Sequence, residues 1–225
     1  MSQPNIEWPA VTQFIGQLNH DLRNHLNALE LQAAFLGEIV EQPEAKDEVK
    51  RLREMTADLG THLQRLSAQL AKVRVTPMTY QARELVEDLR AKVTSEFSEQ
   101  SSSIEWKDSL GAEPISIDPS LLLEAFVELF RNAFTHGRGK AALSFEAHST
   151  NDGIEFVLRE PKTQFEADTV NWGVRPLGTI RQGHYGLGLY RARSIFAEHH
   201  GNLRAEFDPS SSSLVTTVTL PLRTA

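Results

Sequence analysis

Two consecutive apolar patterns with helical spacing constrain the fold of this chain more than any other feature. Between residues 45 and 74 the apolar positions alternate in steps of four and three, the a/d spacing of a coiled coil; they are Leu52, Thr56, Leu59, Leu63, Leu66, Leu70 and Val73. A first amphipathic stretch runs from about residue 8 to 40 and is interrupted in "EQPEA" at Pro43. Two helices of similar length with a short connection predict an antiparallel hairpin.

A single hairpin cannot bury two apolar stripes by itself. The economical solution is a homodimer in which two hairpins form a four-helix bundle. The alternative is a hairpin that packs against its own downstream domain. We expect the dimer.

The remainder of the chain predicts an α+β fold, with helices that cover one face of a sheet. "VTPMT", residues 75 to 79, serves as the linker, which gives a helical hairpin over 1–76 and an α/β sandwich domain over 77–225. The buried helix in "DPSLLLEAFVELFRNAFTHG" begins at a cap provided by Asp118 or Ser120. Alternating strands are predicted in the following segments: "SIEWKDSL", "KAALSFEAHS", "GIEFVLRE", "LRAEFD" and "SLVTTVTLPL".

Composition excludes several classes of function. The net charge of −7 argues against a nucleic-acid-binding surface, and the absence of cysteine excludes disulfides, thiol catalysis and cysteine-based metal sites. The first ten residues do not have the pattern of a signal peptide, and no segment has the apolar length of a membrane span. We therefore expect a cytoplasmic protein with no membrane partner.

Two histidines lie five residues apart in "LNHDLRNHLNAL", residues 18 to 29. Because a helix turns about 100° per residue, His25 falls within roughly 60° of Leu18, in the apolar stripe, and is predicted to be a core or interface residue. His20 falls at about 200°, on the polar face beside Asp21. An exposed histidine next to a carboxylate is either a nucleophile or a solvated surface residue, and this stretch alone leaves both open.

The buried helix carries three polar residues at intervals of four: Glu128, Asn132 and His136. They share one helix face. The amide oxygen of Asn132 is a suitable hard ligand for Mg²⁺, and the Glu128 carboxylate could orient or deprotonate an attacking group. The alternative is that these are solvated polar residues near a helix end.

A glycine-rich turn, "GHYGLGL", leads directly into the last helix. Gly186 and Gly188, on either side of Leu187, let backbone N–H groups approach a phosphate, and a helix N-terminus favours negative charge. A tight turn without a ligand is the alternative interpretation.

Taken together and in this order, the motifs resemble the catalytic core of two-component sensor histidine kinases over nearly the whole chain. "HDLRNHLNAL" is similar to the H-box, with His25 where the family usually has proline, "ELFRNAFTHG" to the N-box, and "YGLGLYRARSIFAEHHGN" to the second glycine box. Glu128 stands where many of these kinases have a second asparagine. The ending "VTLPL" is similar to the last strand of the family's ATP-binding domain.

The resemblance implies a histidine protein kinase with ATP and Mg²⁺ as its cofactors. His20 would accept the γ-phosphoryl group and pass it to a response-regulator receiver domain. Asp21 would orient the imidazole, and Asn24 would position water for the reverse, phosphatase reaction. Asn132 would hold the metal, with nucleotide contacts from His136, Glu160, Gly186, Leu187 and Gly188.

The sequence departs from the family at the first glycine box. Glu160 stands where the family has an aspartate that binds the adenine amino group, and Lys162 and Gln164 replace two glycines. This loss leaves two alternatives to the kinase. One is a histidine phosphotransferase that relays phosphate between receiver domains without ATP, and the other is a non-catalytic dimeric adaptor.

Overall fold

The computed structural model describes residues 7–135, 139, 141–162, 165, 169, 171–177 and 185–222. The chain divides into two compact units, Met1–Lys72 and Val73–Ala225. No helix within the described residues is long and apolar enough to cross a membrane. His136 and Gln164, which the sequence analysis singled out, lie outside the described residues.

The first unit is a pair of helices, α1 (Trp8–Ile39) and α2 (Pro43–Leu70), that pack against each other. Pro43 lies in the first turn of α2, where its missing N–H costs no hydrogen bond. The second helix ends at Leu70, four residues earlier than predicted. Val73, predicted as its last seam position, is instead buried in the core of the second unit.

The buried side of α1 has a seven-residue spacing, with Asn19, Leu26 and Ala33 facing inward. Thr56 and Leu63 are the corresponding buried residues of α2. Within this seam, Nδ2 of Asn19 donates a hydrogen bond to Oγ of Ser67 at 3.2 Å. A polar residue in an apolar seam fixes the register of the two helices at some cost in stability.

Most of the predicted apolar stripe of α1 does not pack on α2; Ala33 is its buried member. Large apolar side chains remain exposed on both helices of the hairpin, namely Phe14, Leu18, Leu22, Leu29, Leu31, Phe35, Leu36, Ile39, Leu52, Met55 and Leu59. His25 is exposed as well, so its prediction as a core residue of the chain is wrong. Its place at an interface between two copies stays a prediction.

The second unit contains a five-stranded sheet in the order β2-β4-β5-β7-β6. The strands are β2 (Ile104–Asp108), β4 (Leu143–Ser149), β5 (Gly153–Pro161), β6 (Asn202–Asp208) and β7 (Ser213–Pro221). The edge strand β2 is parallel to β4, and the other neighbours are antiparallel. All five strands coincide with the segments predicted from alternation to within one residue.

A separate pair of short antiparallel strands, β1 (Met78–Gln81) and β3 (Pro114–Ile117), was not predicted. Both have four residues, and the burial pattern of β1 does not alternate. A strand this short gives too little sequence signal to be distinguished from a loop.

Three longer helices accompany the sheet: α3 (Ala82–Glu96), α5 (Pro119–Thr135) and α6 (Gly188–Glu198); a short α4 (Ser98–Ser101) follows α3. The cap of α5 is Asp118, whose Oδ1 accepts a hydrogen bond from the N–H of Leu121 at 3.2 Å. Buried phenylalanines join the helices to the sheet. Phe126 of α5 lies with its ring centroid 4.9 Å from that of Phe156 in β5 and 5.1 Å from that of Phe196 in α6. The predicted α+β architecture is confirmed.

Candidate functional site

His20 is exposed on α1, with 68% of its side chain accessible. Its Nδ1 lies 3.3 Å from Oδ1 of Asp21 and 3.4 Å from Nδ2 of Asn24, one turn later. The same oxygen of Asp21 accepts a hydrogen bond from Gln17 at 2.9 Å, which helps to hold the carboxylate in place. The three residues predicted for the hairpin therefore form one exposed polar cluster.

The contacts at Nδ1 bear on the tautomer of His20. Nδ1 can donate to Asp21 or accept from Asn24, but it cannot do both. The shorter contact is with the ionised carboxylate, and hydrogen bonds to a charged acceptor are the stronger kind. A proton on Nδ1 leaves Nε2 with its lone pair, which is the form that attacks an electrophile.

In the second unit, Glu128 of α5 lies against the start of α6. A Cβ atom built on Gly188 would overlap with the carboxylate of Glu128, so any other residue at this position would displace that carboxylate. Glu128 also forms an ion pair with Arg131, which is paired in turn with Glu96 at the end of α3. Helix α5, which carries the N-box, therefore contacts the start of α6, which carries the second glycine box. Such a contact is needed if the two motifs belong to one site.

The glycine turn has the geometry that its sequence predicts. Gly186 adopts a positive φ of 65°, a conformation that suits glycine, and its carbonyl accepts a hydrogen bond from the N–H of Leu177 at 3.2 Å. Leu187 is buried and caps α6 without a side-chain hydrogen bond. The first N–H groups of α6 have no intrahelical partner, which makes this end suited to an anion.

Asn132 lies one turn beyond Glu128 on α5 and is partly buried. Among the described residues, no three histidine, aspartate or glutamate side chains gather into a metal site. In a nucleotide complex Mg²⁺ keeps several waters and takes few protein ligands besides phosphate oxygens, and the amide oxygen of Asn132 is a ligand of the type that this ion accepts. The phosphate end of the site therefore fits the cofactor that the motifs imply.

Glu160 does not have the surroundings expected of a base contact. It is buried at the end of β5 and forms an ion pair with the buried Lys162, two residues later. Its cross-strand neighbour is Leu214 of β7. Residues two apart in a strand share a face, so the spacing itself could have predicted this pair.

Comparison with known proteins finds sensor histidine kinases among the relatives of this chain. No protein-family model matches the sequence. The sensor histidine kinase CpxA of Klebsiella pneumoniae is 25% identical over 220 residues, an alignment that covers 93% of this chain and 47% of the relative. CpxA of Escherichia coli K12 is 24% identical over 207 residues, covering 88% of this chain and 44% of the relative. The chain spans about half the length of these curated relatives.

Similar solved structures are also histidine kinases. Full-length ShkA in complex with AMPPNP superposes with a TM-score of 0.71 at 16% identity, covering 95% of this chain and 46% of that one. The histidine kinase AdeS of Acinetobacter baumannii has a TM-score of 0.53 at 15% identity, covering 91% of this chain and 98% of its own. The chain has the fold of a sensor histidine kinase core.

Within this histidine kinase fold, the sequence did not predict the ion pairs of Arg131 or the pairing of Lys162 with Glu160. Arg131 directly precedes Asn132 and links Glu128 to Glu96, and Lys162 pairs with Glu160. The signal for Arg131 was present, since residues three apart on a helix are neighbours and Glu128 lies three residues earlier. The pairing with Glu96 joins two helices and has no local sequence signal.

Proposed function

We propose that this chain is a histidine protein kinase of a two-component system, in which His20 accepts a phosphoryl group and passes it to a response-regulator receiver domain. The observation that carries the proposal is the exposed cluster of His20, Asp21 and Asn24 on α1. The similarity to CpxA over most of the chain supports the same reaction.

In the proposed reaction, Nε2 of His20 would form a bond to the γ-phosphorus as the bond from that phosphorus to the bridging oxygen breaks and ADP leaves. Asp21 would hold the proton on Nδ1 and stabilise the positive charge on the ring. Because His20 is exposed, both a nucleotide domain and a receiver domain can reach it. Positioning and electrostatic stabilisation provide most of the catalysis in phosphoryl transfer. Asn24 would orient water for dephosphorylation of the receiver domain.

The second unit would hold the phosphoryl donor. Bound ATP–Mg²⁺ would supply the phosphoryl group that reaches His20. The N–H groups after Gly186 would bind phosphate oxygens, and Asn132 would contribute an oxygen ligand to the metal. Glu128, held by Arg131, would orient a group bound beside the start of α6. A reaction that draws on ATP and receiver domains places the proposed activity in the cytoplasm.

We also propose that the hairpin forms a homodimer. Apart from Leu31 and Phe35, the exposed apolar side chains of α1 and α2 follow the spacing of a helix stripe. Such a stripe is rarely left open on a stable protein. A second hairpin offers the same surface, so that two copies would form a four-helix bundle with C2 symmetry.

Leu22→Glu is expected to convert the dimer to a monomer. Leu22 is 40% exposed within one chain, so the substitution should leave the hairpin intact while it places unpaired carboxylates at the interface, at a cost on the order of several kcal/mol. Asn27→Glu adds the same charge to the polar face of α1 and should remain dimeric. Multi-angle light scattering at micromolar concentration measures both masses, and a monomeric wild type would contradict the proposal.

One observation favours the second candidate, a histidine phosphotransferase that relays phosphate between receiver domains. The carboxylate at the place of the base contact is already engaged by Lys162. A second unit that no longer binds nucleotide would leave the chemistry of His20 unchanged and remove only its ATP donor.

A labelling experiment tests these functions. Wild-type protein is incubated with γ-labelled ATP–Mg²⁺, and separately with a labelled phospho-receiver domain. The kinase predicts an acid-labile, alkali-stable label in both reactions, whereas the phosphotransferase predicts it only in the second. The absence of label in both would overturn the proposal and leave the adaptor.

A further inference from the structure

A row of alternating charges connects three helices at the start of α6. Glu96 at the end of α3 pairs with Arg131 of α5, and Arg131 pairs with Glu128 on its own helix. The two carboxylate oxygens of Glu128 have different surroundings. Oε2 accepts a hydrogen bond from Nη1 of Arg131, whereas Oε1 lies where a Cβ atom on Gly188 would stand. Glu128 therefore connects a guanidinium group to the first residue of α6.

Arg131 is held on more than one side. Its Nη1 donates to Glu128 and its Nη2 to Glu96, and its Cζ lies 5.9 Å from the ring centroid of Phe97. The Phe97 ring packs in turn on Phe134 of α5, with 5.1 Å between the ring centroids. Because only 24% of the Arg131 side chain and 14% of the Glu128 side chain are exposed, solvent and salt screen this pair incompletely.

The Glu128 carboxylate affects how well the start of α6 can bind an anion. The first N–H groups of a helix, together with its dipole, favour a negative group at this end. Glu128 already places one negative charge beside Gly188. A phosphate bound at the same turn would lie close to this like charge, and the repulsion is strong where water is partly excluded. A phosphate at this end therefore requires positive charge close to the carboxylate.

We infer that Arg131 makes the start of α6 compatible with the phosphate chain of a nucleotide, because it offsets the negative charge of Glu128. This inference rests on the proposed function, since it takes the turn from Gly186 to Gly188 to bind phosphate. Coulomb interactions add, so the loss of Arg131 makes the potential at this turn more negative whatever other groups contact Glu128. Arg131 acts on the nucleotide through Glu128 and is a positioning residue.

Glu96 provides a matched control for this role. It contacts the same guanidinium group and connects α3 to α5 through it. Glu96→Gln weakens that connection but leaves the positive charge of Arg131 with Glu128. If Arg131 served only to join the two helices, Glu96→Gln would disturb the site as well. If its charge is what the site needs, Glu96→Gln should be harmless.

Titration calorimetry with ATP–Mg²⁺ tests the inference. Arg131→Met is expected to bind at least about tenfold more weakly than the wild type, because a partly buried cation beside the site is lost. The double variant Arg131→Met with Glu128→Gln removes both charges and should return to within about threefold of the wild-type affinity, since the two residues are coupled. Glu96→Gln should bind like the wild type.

Equal affinities of the wild type and Arg131→Met would overturn the inference, as would a double variant that binds as weakly as Arg131→Met. The same loss in Glu96→Gln would also overturn it, because the role of Arg131 would then be structural. If circular dichroism finds Arg131→Met unfolded, Glu128→Gln is compared with the wild type instead. It should bind ATP–Mg²⁺ more tightly, and equal or weaker binding would overturn the inference.

Phosphate exchange between His20 and a receiver domain is measured in parallel. A wild type that exchanges phosphate but does not bind ATP–Mg²⁺ would overturn the inference and favour the phosphotransferase. A wild type that binds ATP–Mg²⁺ with the expected dependence on Arg131 and Glu128, but exchanges no phosphate, would contradict the proposed function and leave the charge role of Arg131 in place.

Discussion

His20→Ala is expected to abolish all acid-labile phosphorylation of the protein, whether the donor is ATP–Mg²⁺ or a phosphorylated receiver domain. The substitution removes the imidazole ring whose Nε2 forms the bond to phosphorus in the proposed reaction. Because the side chain is 68% exposed, its loss should change the free energy of unfolding by no more than about 0.5 kcal/mol. Autoradiography after alkali treatment measures the label, and thermal unfolding checks the fold.

His25→Leu is the matched control for this prediction. It removes a histidine from the same helix, five residues away and exposed as well, and should retain the label. If the label persists in His20→Ala but disappears in His25→Leu, the phosphoacceptor is His25 and the assignment to His20 is wrong.

Gly188→Val is expected to abolish labelling from ATP–Mg²⁺ while it preserves labelling from a phospho-receiver domain. A branched side chain at this position overlaps with the Glu128 carboxylate and obstructs the start of α6. Gly16→Val, in a helix where a Cβ meets no atom within 4 Å, introduces the same chemical change in open space and should keep both activities. Equal ATP-dependent labelling of Gly188→Val and the wild type would contradict the assignment of this turn to phosphate.

A variant with a smaller structural effect accompanies this test. Asn132→Ala removes the proposed metal ligand from a partly buried position and creates no overlap. It should reduce ATP-dependent labelling and leave exchange with the receiver domain intact. Loss of both activities in a folded Asn132→Ala protein would point to a role outside the metal site.

The periodicity of the sequence predicts the helices and strands well, but it does not say what covers an apolar stripe. The stripe around Leu18 and Leu22 was recognised correctly as apolar, yet these residues are exposed in a single chain, and a different spacing through Asn19 and Leu26 forms the hairpin contact. Both patterns have a helical period, so angle alone cannot rank them. Which surface covers each face of the helix is decided by tertiary packing and not by the local sequence.

The candidate site was predictable where the chemistry depends on local spacing. The cluster at His20 and the position of Glu128 before Asn132 follow from one helix face each. The contact between Glu128 and Gly188 joins residues sixty positions apart, and the pair of Arg131 with Glu96 spans 35. Such contacts depend on how the helices pack, which no short motif encodes.

The hydrogen bond from Asn19 to Ser67 has a consequence for the neighbouring histidine. Asn19 is 3% exposed and must face α2, and each residue of a helix is rotated about 100° from the one before it. The direction of the His20 imidazole is therefore set by the residue that precedes it. If α1 turned about its own axis, the buried amide of Asn19 would lose its partner and His20 would face a different direction. Rotation of α1 and the accessibility of His20 are therefore coupled.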